Sequence, residues 1–204
     1  MASKVAAIIL AAGKSQRMGQ PKMLLRWRDT TVLGQVVMTF SRAGIQDIIV
    51  VTGGDGTLVE GEVARLAGLF PTRAAFNPSY ESEGMMASIQ AGIKAMDPEY
   101  EAVLIGLGDQ PQVEEKTVRD ILATYEELNG SLIVPSYENR RGHPVLIDAT
   151  YLPELHNLTA RTNLRDFLNT HRDNIWYVEA APSVLMDLDT PEDYQRFHEA
   201  QSGQ

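Results

Sequence analysis

Short apolar runs alternate with stretches of helical periodicity along the first two thirds of the chain, and this alternation constrains the fold most strongly. Runs that are apolar almost throughout are typical of strands covered on both faces. Their order with helices predicts a three-layer, Rossmann-like α/β fold with a mostly parallel central sheet and right-handed crossovers. The predicted strands are VAAIILA (5–11), DIIVVT (47–52), TRAAF (72–76) and AVLIGL (102–107), and the predicted helices are about 31–43, 58–68, 83–95 and 114–128.

The pattern changes in the last third of the chain. The runs SLIVP, HPVLI and IWYVEA predict a mixed or antiparallel extension of the sheet. Short helices are predicted near 149–155 and 163–170, and a Thr-Pro pair provides the N-cap and first turn of a last helix at about 191–200. Since no repeat, low-complexity segment or linker interrupts the sequence, we expect residues 1–204 to form a single domain.

The composition argues against several functional classes. The absence of cysteine excludes disulfides, thiolate nucleophiles and cysteine metal sites. A net charge of −9 argues against a nucleic-acid partner, because binding a phosphate backbone needs clustered Lys and Arg. No apolar run approaches the roughly 18–20 residues that a membrane span requires. We therefore expect a cytoplasmic protein with neither a nucleic acid nor a membrane as its partner.

The first predicted strand leads into LAAGKSQRMGQPK, residues 10–22, and in such sheets ligands bind at the carboxyl ends of strands. The small residues of this loop let the backbone turn sharply and present N–H groups to phosphate oxygens. Arg17 and Lys22 add the cations that a triphosphate needs. The loop matches neither GxxxxGK[ST] nor GxGxxG. A strand-to-helix turn with solvated cations is the alternative.

Two acidic motifs follow other predicted strands. Asp109 ends an apolar strand in GLGDQP, where its carboxylate suits an octahedral Mg²⁺ or serves as the N-cap of the next helix. In DLDTPED, Asp187 and Asp189 alternate along an extended segment, so their side chains are expected to point to opposite faces. Only one of the two is then expected to reach a given metal, and we favour Asp189.

Three further residues are candidates for binding. Ser88 lies in the first turns of the helix that follows NPSYESEG, where its hydroxyl can bond a base or ribose, or cap the helix. His143 follows the basic pair Arg140 and Arg141, which favours contact with an anionic substrate over a solvated loop histidine. Arg161, in TARTNLRDFL, either contacts the same substrate or lies beside a helix cap.

LAAGKSQRMGQPK, NPSYESEGMMASI, GLGDQP, RRGHPVLI and DLDTPED occur in the order and near the spacing found in the MobA-like NTP transferases. The chain resembles this superfamily from about residue 5 to 198. Within it, the chain looks most similar to the molybdenum cofactor cytidylyltransferase (MocA-like) branch. The MobA-type guanylyltransferases usually carry LAGG where this chain has LAAG, so the resemblance implies CTP as substrate.

The resemblance implies a nucleotidyltransferase fold and a Mg²⁺-dependent transfer of CMP from CTP to molybdopterin, with release of pyrophosphate. Three alternatives remain. The enzyme transfers the nucleotide to a sugar phosphate, or it transfers a guanylyl group from GTP. The third alternative is a non-catalytic maturation factor that binds nucleotide or cofactor and delivers cofactor to an apo-molybdoenzyme. The resemblance also implies roles for single residues. Arg17 and Lys22 hold the triphosphate and act in catalysis with Asp109, while Asp109 and Asp189, with Asp187, bind the metal. His143 faces the acceptor, and the nucleotide contacts Leu10, Ala11, Ala12, Gly13, Asn77 and Ser88.

Overall fold

The computed structural model describes residues 4–82, 84–128, 131–159 and 162–202, and within these segments the predicted alternation of strands and helices is present. The strands are β1 (Val5–Ala11), β2 (Arg26–Trp27), β3 (Thr30–Thr31), β4 (Ile48–Thr52), β5 (Thr72–Phe76), β6 (Ala102–Leu107), β7 (Leu132–Tyr137), β8 (Arg140–Arg141), β9 (Val145–Asp148) and β10 (Ile175–Glu179). The α-helices are α1 (Val32–Arg42), α2 (Gly56–Ala67), α3 (Gly84–Ala95), α4 (Glu115–Leu128), α5 (Leu152–Asn157), α6 (Leu164–Thr170) and α7 (Pro191–Ser202).

The central sheet has the strand order β10-β7-β9-β6-β1-β4-β5, and β8 pairs with β7. The strands β6, β1, β4 and β5 are parallel to their neighbours. The strand β9 runs antiparallel to both β6 and β7, and β10 is parallel to β7. The predicted mostly parallel sheet with a mixed C-terminal extension is therefore confirmed.

Alternation along β1 produces the three layers. Because successive side chains of a strand point to opposite faces, Ala7 and Ile9 pack into one core and Ile8 and Leu10 into another. The first core lies against α1, α2 and α4, and the second against α3, α5 and α6. In the described part of the chain, none of the helices is long and apolar enough to cross a membrane.

A small cluster outside these two cores fixes the segment between β10 and α7. Leu188 is fully buried and packs with Trp27 of the β2–β3 hairpin and with Val32 at the start of α1. Its backbone N–H donates to the carbonyl oxygen of Asp109 at 3.1 Å. Trp27 thus packs near the start of α1, and the cluster holds the C-terminal segment against the end of β6.

We expect Leu188→Ala to lower the free energy of unfolding by about 2–4 kcal/mol, because it removes a fully buried side chain and leaves a cavity. Urea denaturation followed by circular dichroism measures this change. Leu58→Ala is the matched control, since Leu58 is 57% exposed on α2 and its truncation should change stability by at most about 0.5 kcal/mol. Equal effects of the two substitutions would show that the Leu188 cluster does not anchor the segment.

Candidate active site

The loops that leave β1, β4 and β6 lie side by side because these strands are parallel neighbours. The amide of Gly54 donates to the carbonyl oxygen of Ala12, and the amide of Gly108 to that of Leu10, each at 3.0 Å. A Cβ on Gly53 would lie 2.8 Å from the Cβ of Ala12, so glycine is needed for this close approach. The carboxyl ends of the strands therefore form one continuous surface.

The loop after β1 borders a cleft of about 580 Å³, which we name the first cleft. The structure places small residues and both predicted phosphate-binding cations on its wall. Leu10 and Ala11, which the resemblance assigns to the nucleotide, are buried in β1 instead of lining this cleft. The residues that line it include Ala12, Gly13, Lys14, Arg17, Lys22, Tyr80, Glu81 and Asp189.

Lys22 lies between two carboxylates at the inner end of the first loop. Its Nζ donates to Oδ2 of Asp109 and to Oδ1 of Asp189, the latter at 3.2 Å. Arg17 donates through Nη2 to Oδ2 of Asp189 at 2.9 Å. The backbone N–H of Lys22 donates to Oγ of Ser15 at 3.0 Å, which holds the start of its short 3₁₀ turn. Two predicted cations and two predicted metal ligands thus form one cluster.

Electrostatics keep Lys22 charged. Burial by itself would lower the pKa of Lys22, but attraction by Asp109 and hydrogen bonds to Asp109 and Asp189 outweigh it and raise that pKa. The Lys22 side chain is only 11% exposed, whereas that of Arg17 is 69% exposed. Lys22 is therefore a buried charge that depends on its carboxylate partners, and Arg17 is an exposed charge paired with Asp189 at the edge of the cleft.

Asp187 points away from this cluster, as the alternation along its segment predicts. Its Oδ1 accepts from Nε2 of Gln110 at 2.7 Å. Partial desolvation raises the pKa of the Asp187 carboxyl, the hydrogen bond from Gln110 opposes the rise, and the like charges of Asp109 and Asp189 add to it. The geometry therefore pairs Asp189, and not Asp187, with Asp109.

The two converging carboxylates define what kind of cation fits this place. Within the described residues, no group of three or more His, Asp or Glu side chains is arranged to hold a metal. Asp109 and Asp189 nevertheless direct oxygens at one point, the ammonium of Lys22. Such a pair fits Mg²⁺ or Mn²⁺, which are commonly held by one or two carboxylates together with water and substrate phosphates.

Asn77 and Ser88 are brought together, but away from the first cleft. Nδ2 of Asn77 donates to Oγ of Ser88 at 3.0 Å, and both residues are buried. Oδ1 of Asn77 accepts from the backbone N–H of Ser79 at 2.9 Å. Neither is among the described residues that line the cleft. In this geometry the pair fixes the loop after β5 to α3, so its effect on a ligand in the first cleft is indirect.

That loop contributes residues that the sequence did not single out. Tyr80 and Glu81 line the first cleft, and Glu81 forms an ion pair with Lys14 of the first loop. The Lys14 ammonium also lies 5.7 Å from the centroid of the Tyr80 ring. These contacts join the two loops across the cleft. Neither LAAGKSQR nor SYESE has a local pattern that predicts this pairing.

His143 lines a second cleft of about 700 Å³, which we name the second cleft. Its backbone N–H donates to the carbonyl oxygen of Val184 at 3.1 Å. Burial lowers the pKa of its imidazole to about 4, although attraction by Asp109 acts in the opposite direction, so the ring is neutral at pH 7. Its Nε2 is buried and has no hydrogen-bond partner among the described residues. Arg161, the other predicted acceptor residue, lies outside the described residues.

Comparison with known proteins gives this geometry a context. The sequence model of the MobA-like NTP transferase domain matches residues 7–175. Molybdenum cofactor cytidylyltransferase of Escherichia coli K12 is 29% identical over 192 residues, which cover 94% of each chain. Nicotine blue oxidoreductase of Paenarthrobacter nicotinovorans is 31% identical over 205 residues, which cover 94% of this chain and 95% of that one.

Solved structures show the same fold. The crystal structure of Rv0371c from Mycobacterium tuberculosis H37Rv has a TM-score of 0.82 and 30% identity, covering 98% of this chain and 99% of that one. A complex of Rv0371c with manganese has a TM-score of 0.79 and 28% identity, covering 97% of this chain and 100% of that one. A structurally similar protein thus binds a divalent cation of the kind that the carboxylate pair fits.

The buried imidazole of His143 makes the free energy of unfolding depend on pH. A histidine whose pKa is lower when folded, about 4 here, stabilises the fold fully above its unfolded pKa of about 6.5 and loses this contribution as the pH falls. We expect the free energy of unfolding to drop by roughly 2–3 kcal/mol between pH 7 and pH 4 from this group. Urea titrations at several pH values measure the slope.

His143→Gln should lose most of this slope, because it has no imidazole to protonate. His156→Gln is the control, since His156 is exposed on α5 and the variant keeps the buried imidazole of His143. If the free energy of unfolding fell equally between pH 7 and pH 4 in wild type and in His143→Gln, the burial of a neutral His143 would be contradicted.

Proposed function

The chain belongs to the MobA-like NTP transferase family, and we propose that within it the protein transfers CMP from CTP to a molybdopterin-type acceptor and releases pyrophosphate. Two features support CTP. The relative from Escherichia coli is a cytidylyltransferase by name. In the first loop, Ala12 lines the first cleft where the LAGG of MobA-type guanylyltransferases would place glycine.

The cluster of Arg17, Lys22, Asp109 and Asp189 is the observation that carries the proposal. It lies where a triphosphate in the first cleft would meet a divalent cation, and it combines phosphate-binding cations with hard oxygen ligands. A protein that only bound and delivered a cofactor would have no need of such a cluster. We therefore favour catalysis over a purely non-catalytic maturation factor.

The proposed reaction requires that the protein position the two substrates and neutralise their charge, and it requires little acid–base catalysis. An oxygen of the acceptor's phosphate attacks the α-phosphorus of CTP, and the bond from that phosphorus to the bridging oxygen of pyrophosphate breaks. A phosphate is already ionised near pH 7, so no side chain has to remove a proton from the attacking oxygen. Arg17 and Lys22 stabilise the charge that develops on the departing pyrophosphate, and the loop after β1 orients the nucleotide.

Asp109 and Asp189 would hold Mg²⁺, which would supply positive charge beside the reacting phosphates. Lys22 uses the same carboxylate oxygens, so its pairing with them and their binding of a cation are alternatives. Its ammonium also lines the first cleft, where phosphate oxygens can accept its hydrogen bonds. Lys22 therefore keeps a counter-charge both without and with a bound nucleotide.

Incubation of the protein with Mg²⁺, each NTP in turn and molybdopterin, followed by measurement of pyrophosphate, tests the proposal. We expect pyrophosphate with CTP and a CMP adduct of the acceptor. Faster release with GTP would assign guanylyl transfer, and release only when a sugar phosphate replaces molybdopterin would assign a different acceptor. CTP binding without pyrophosphate from any acceptor would favour the maturation factor and contradict the enzyme.

We expect Asp109→Asn to lower kcat/KM for CTP by about 100-fold or more, because it removes one of the two charges that would hold the cation at the reacting phosphates. The fold should remain, as judged by circular dichroism. Asp120→Asn is the matched control, since Asp120 pairs with Lys116 at 2.5 Å on the exposed face of α4. Wild-type turnover in Asp109→Asn would exclude the carboxylate pair from the reaction.

A further inference from the structure

Two glycines after β4 bring two loops that border the first cleft into contact. A Cβ on Gly53 would lie 2.7 Å from the Cβ of Tyr80, in the loop after β5. A Cβ on Gly54 would lie 3.0 Å from the Cα of Lys14, in the loop after β1. Such approaches leave no room for a side chain at either position. Glycine therefore lets Lys14 and Tyr80 pack against the same stretch of backbone.

Glu81 holds the ammonium of Lys14 in place at the first cleft. The two side chains form an ion pair, and the hydroxyl of Tyr80 donates to Oε1 of Glu81 at 3.1 Å. The hydrogen bond between Lys14 and Glu81 raises the pKa of Lys14 and lowers that of Glu81, so both groups are charged at pH 7. The side chain of Lys14 is 43% exposed and that of Glu81 57%. Water therefore screens the pair, and a more highly charged ligand can break it.

The carboxylate of Glu81 lies where the proposed function puts a triphosphate. Among the described residues that line the first cleft, the carboxylates are those of Glu81 and Asp189. Asp189 belongs to the pair that we propose to hold a cation, which would neutralise its charge. Glu81 is not part of that pair, and its charge is unfavourable beside phosphate groups. Its contacts with Lys14 and Tyr80 therefore suit the protein without nucleotide better than the nucleotide complex.

Lys14 can change partners without leaving the first cleft. It lies three residues before Arg17 on the loop after β1, a separation of at most about 11 Å along the backbone. Both residues line the first cleft. A triphosphate bound by Arg17 and Lys22 therefore comes within reach of the Lys14 ammonium. Its several negative charges attract that ammonium more strongly than the single charge of Glu81 does.

We propose that the ion pair of Lys14 and Glu81 closes one side of the first cleft and that a triphosphate opens it by taking Lys14 away from Glu81. This inference rests on the proposed function, because it places the triphosphate of the nucleotide in the first cleft. Lys14 becomes a third phosphate-binding cation beside Arg17 and Lys22. Glu81 competes with the phosphates for Lys14 and thereby sets how tightly the protein binds the nucleotide.

Titration calorimetry of CTP into the protein with Mg²⁺ and no acceptor tests this exchange of partners. We expect Glu81→Gln to lower the Kd for CTP about threefold, because the competing carboxylate is lost. Lys14→Gln should raise the Kd about tenfold, because a charged hydrogen bond to phosphate is lost. In the double variant most of the gain from Glu81→Gln should disappear, since Glu81 acts chiefly through Lys14. Both side chains are exposed, so the fold should remain intact.

The double variant distinguishes the exchange from two simpler roles. If the pair only braced the two loops, each single substitution would weaken CTP binding to the same degree, and the double variant would be no worse. If Glu81 only repelled phosphates, its substitution would tighten CTP binding equally with and without Lys14. Either result would overturn the exchange. Lys4→Gln and Glu99→Gln are the matched controls, since these exposed side chains pair at 2.8 Å outside the first cleft and should leave the Kd unchanged.

Inorganic tripolyphosphate separates this inference from the proposed function, because it carries neither a base nor a ribose. If its binding follows the same pattern in all the variants while no NTP yields pyrophosphate, the exchange stands and the proposed reaction fails. If CTP is turned over but its Kd is the same in wild type and Glu81→Gln, the exchange is overturned and the reaction stands. If neither CTP nor tripolyphosphate binds to wild type or to Glu81→Gln, both are contradicted.

Discussion

A buried ammonium shared by two carboxylates holds the candidate site together. Lys22 comes from the loop after β1, Asp109 from the end of β6 and Asp189 from the segment before α7, so the contact joins three distant parts of the chain. A buried charge is unfavourable without compensation, and each member of the cluster therefore depends on the others. A cation that took these carboxylates would leave Lys22 without a counter-charge, and in the proposed reaction the phosphate groups of the nucleotide would supply one.

The fold forms two clefts of different chemistry, and three members of this cluster, Arg17, Lys22 and Asp189, line the first. The first is bordered by the small residues and cations of the loop after β1, and the second by arginines and apolar side chains from β8, β9 and α6. The buried Leu188 fixes the segment that runs between them and directs Asp187 and Asp189 apart. Because nicotine blue oxidoreductase has similar sequence identity, the side chains of the two clefts, more than the shared fold, must determine the chemistry.

Much of the fold could be predicted because periodicity and strand ends are local properties. The parallel core, the different partners of Asp187 and Asp189, and the gathering of Arg17, Lys22, Asp109 and Asp189 at one edge all follow from such patterns. The two-residue strands β2 and β3 were too short to leave a signal. The direct pairing of Lys22 with the carboxylates and the contact between Lys14 and Glu81 could not be predicted either. They depend on how loops far apart in sequence approach each other, which periodicity does not encode.

The central claim is that Lys22 leaves Asp109 and Asp189 for the phosphates of the nucleotide when the two carboxylates bind a cation. A crystal structure with CTP and Mg²⁺ measures which atoms surround its ammonium and which surround the cation. We expect Asp109 and Asp189 to hold the cation and the Nζ of Lys22 to bond phosphate oxygens in the first cleft. A nucleotide complex in which Lys22 remains paired with both carboxylates, with the cation held elsewhere, would contradict the claim.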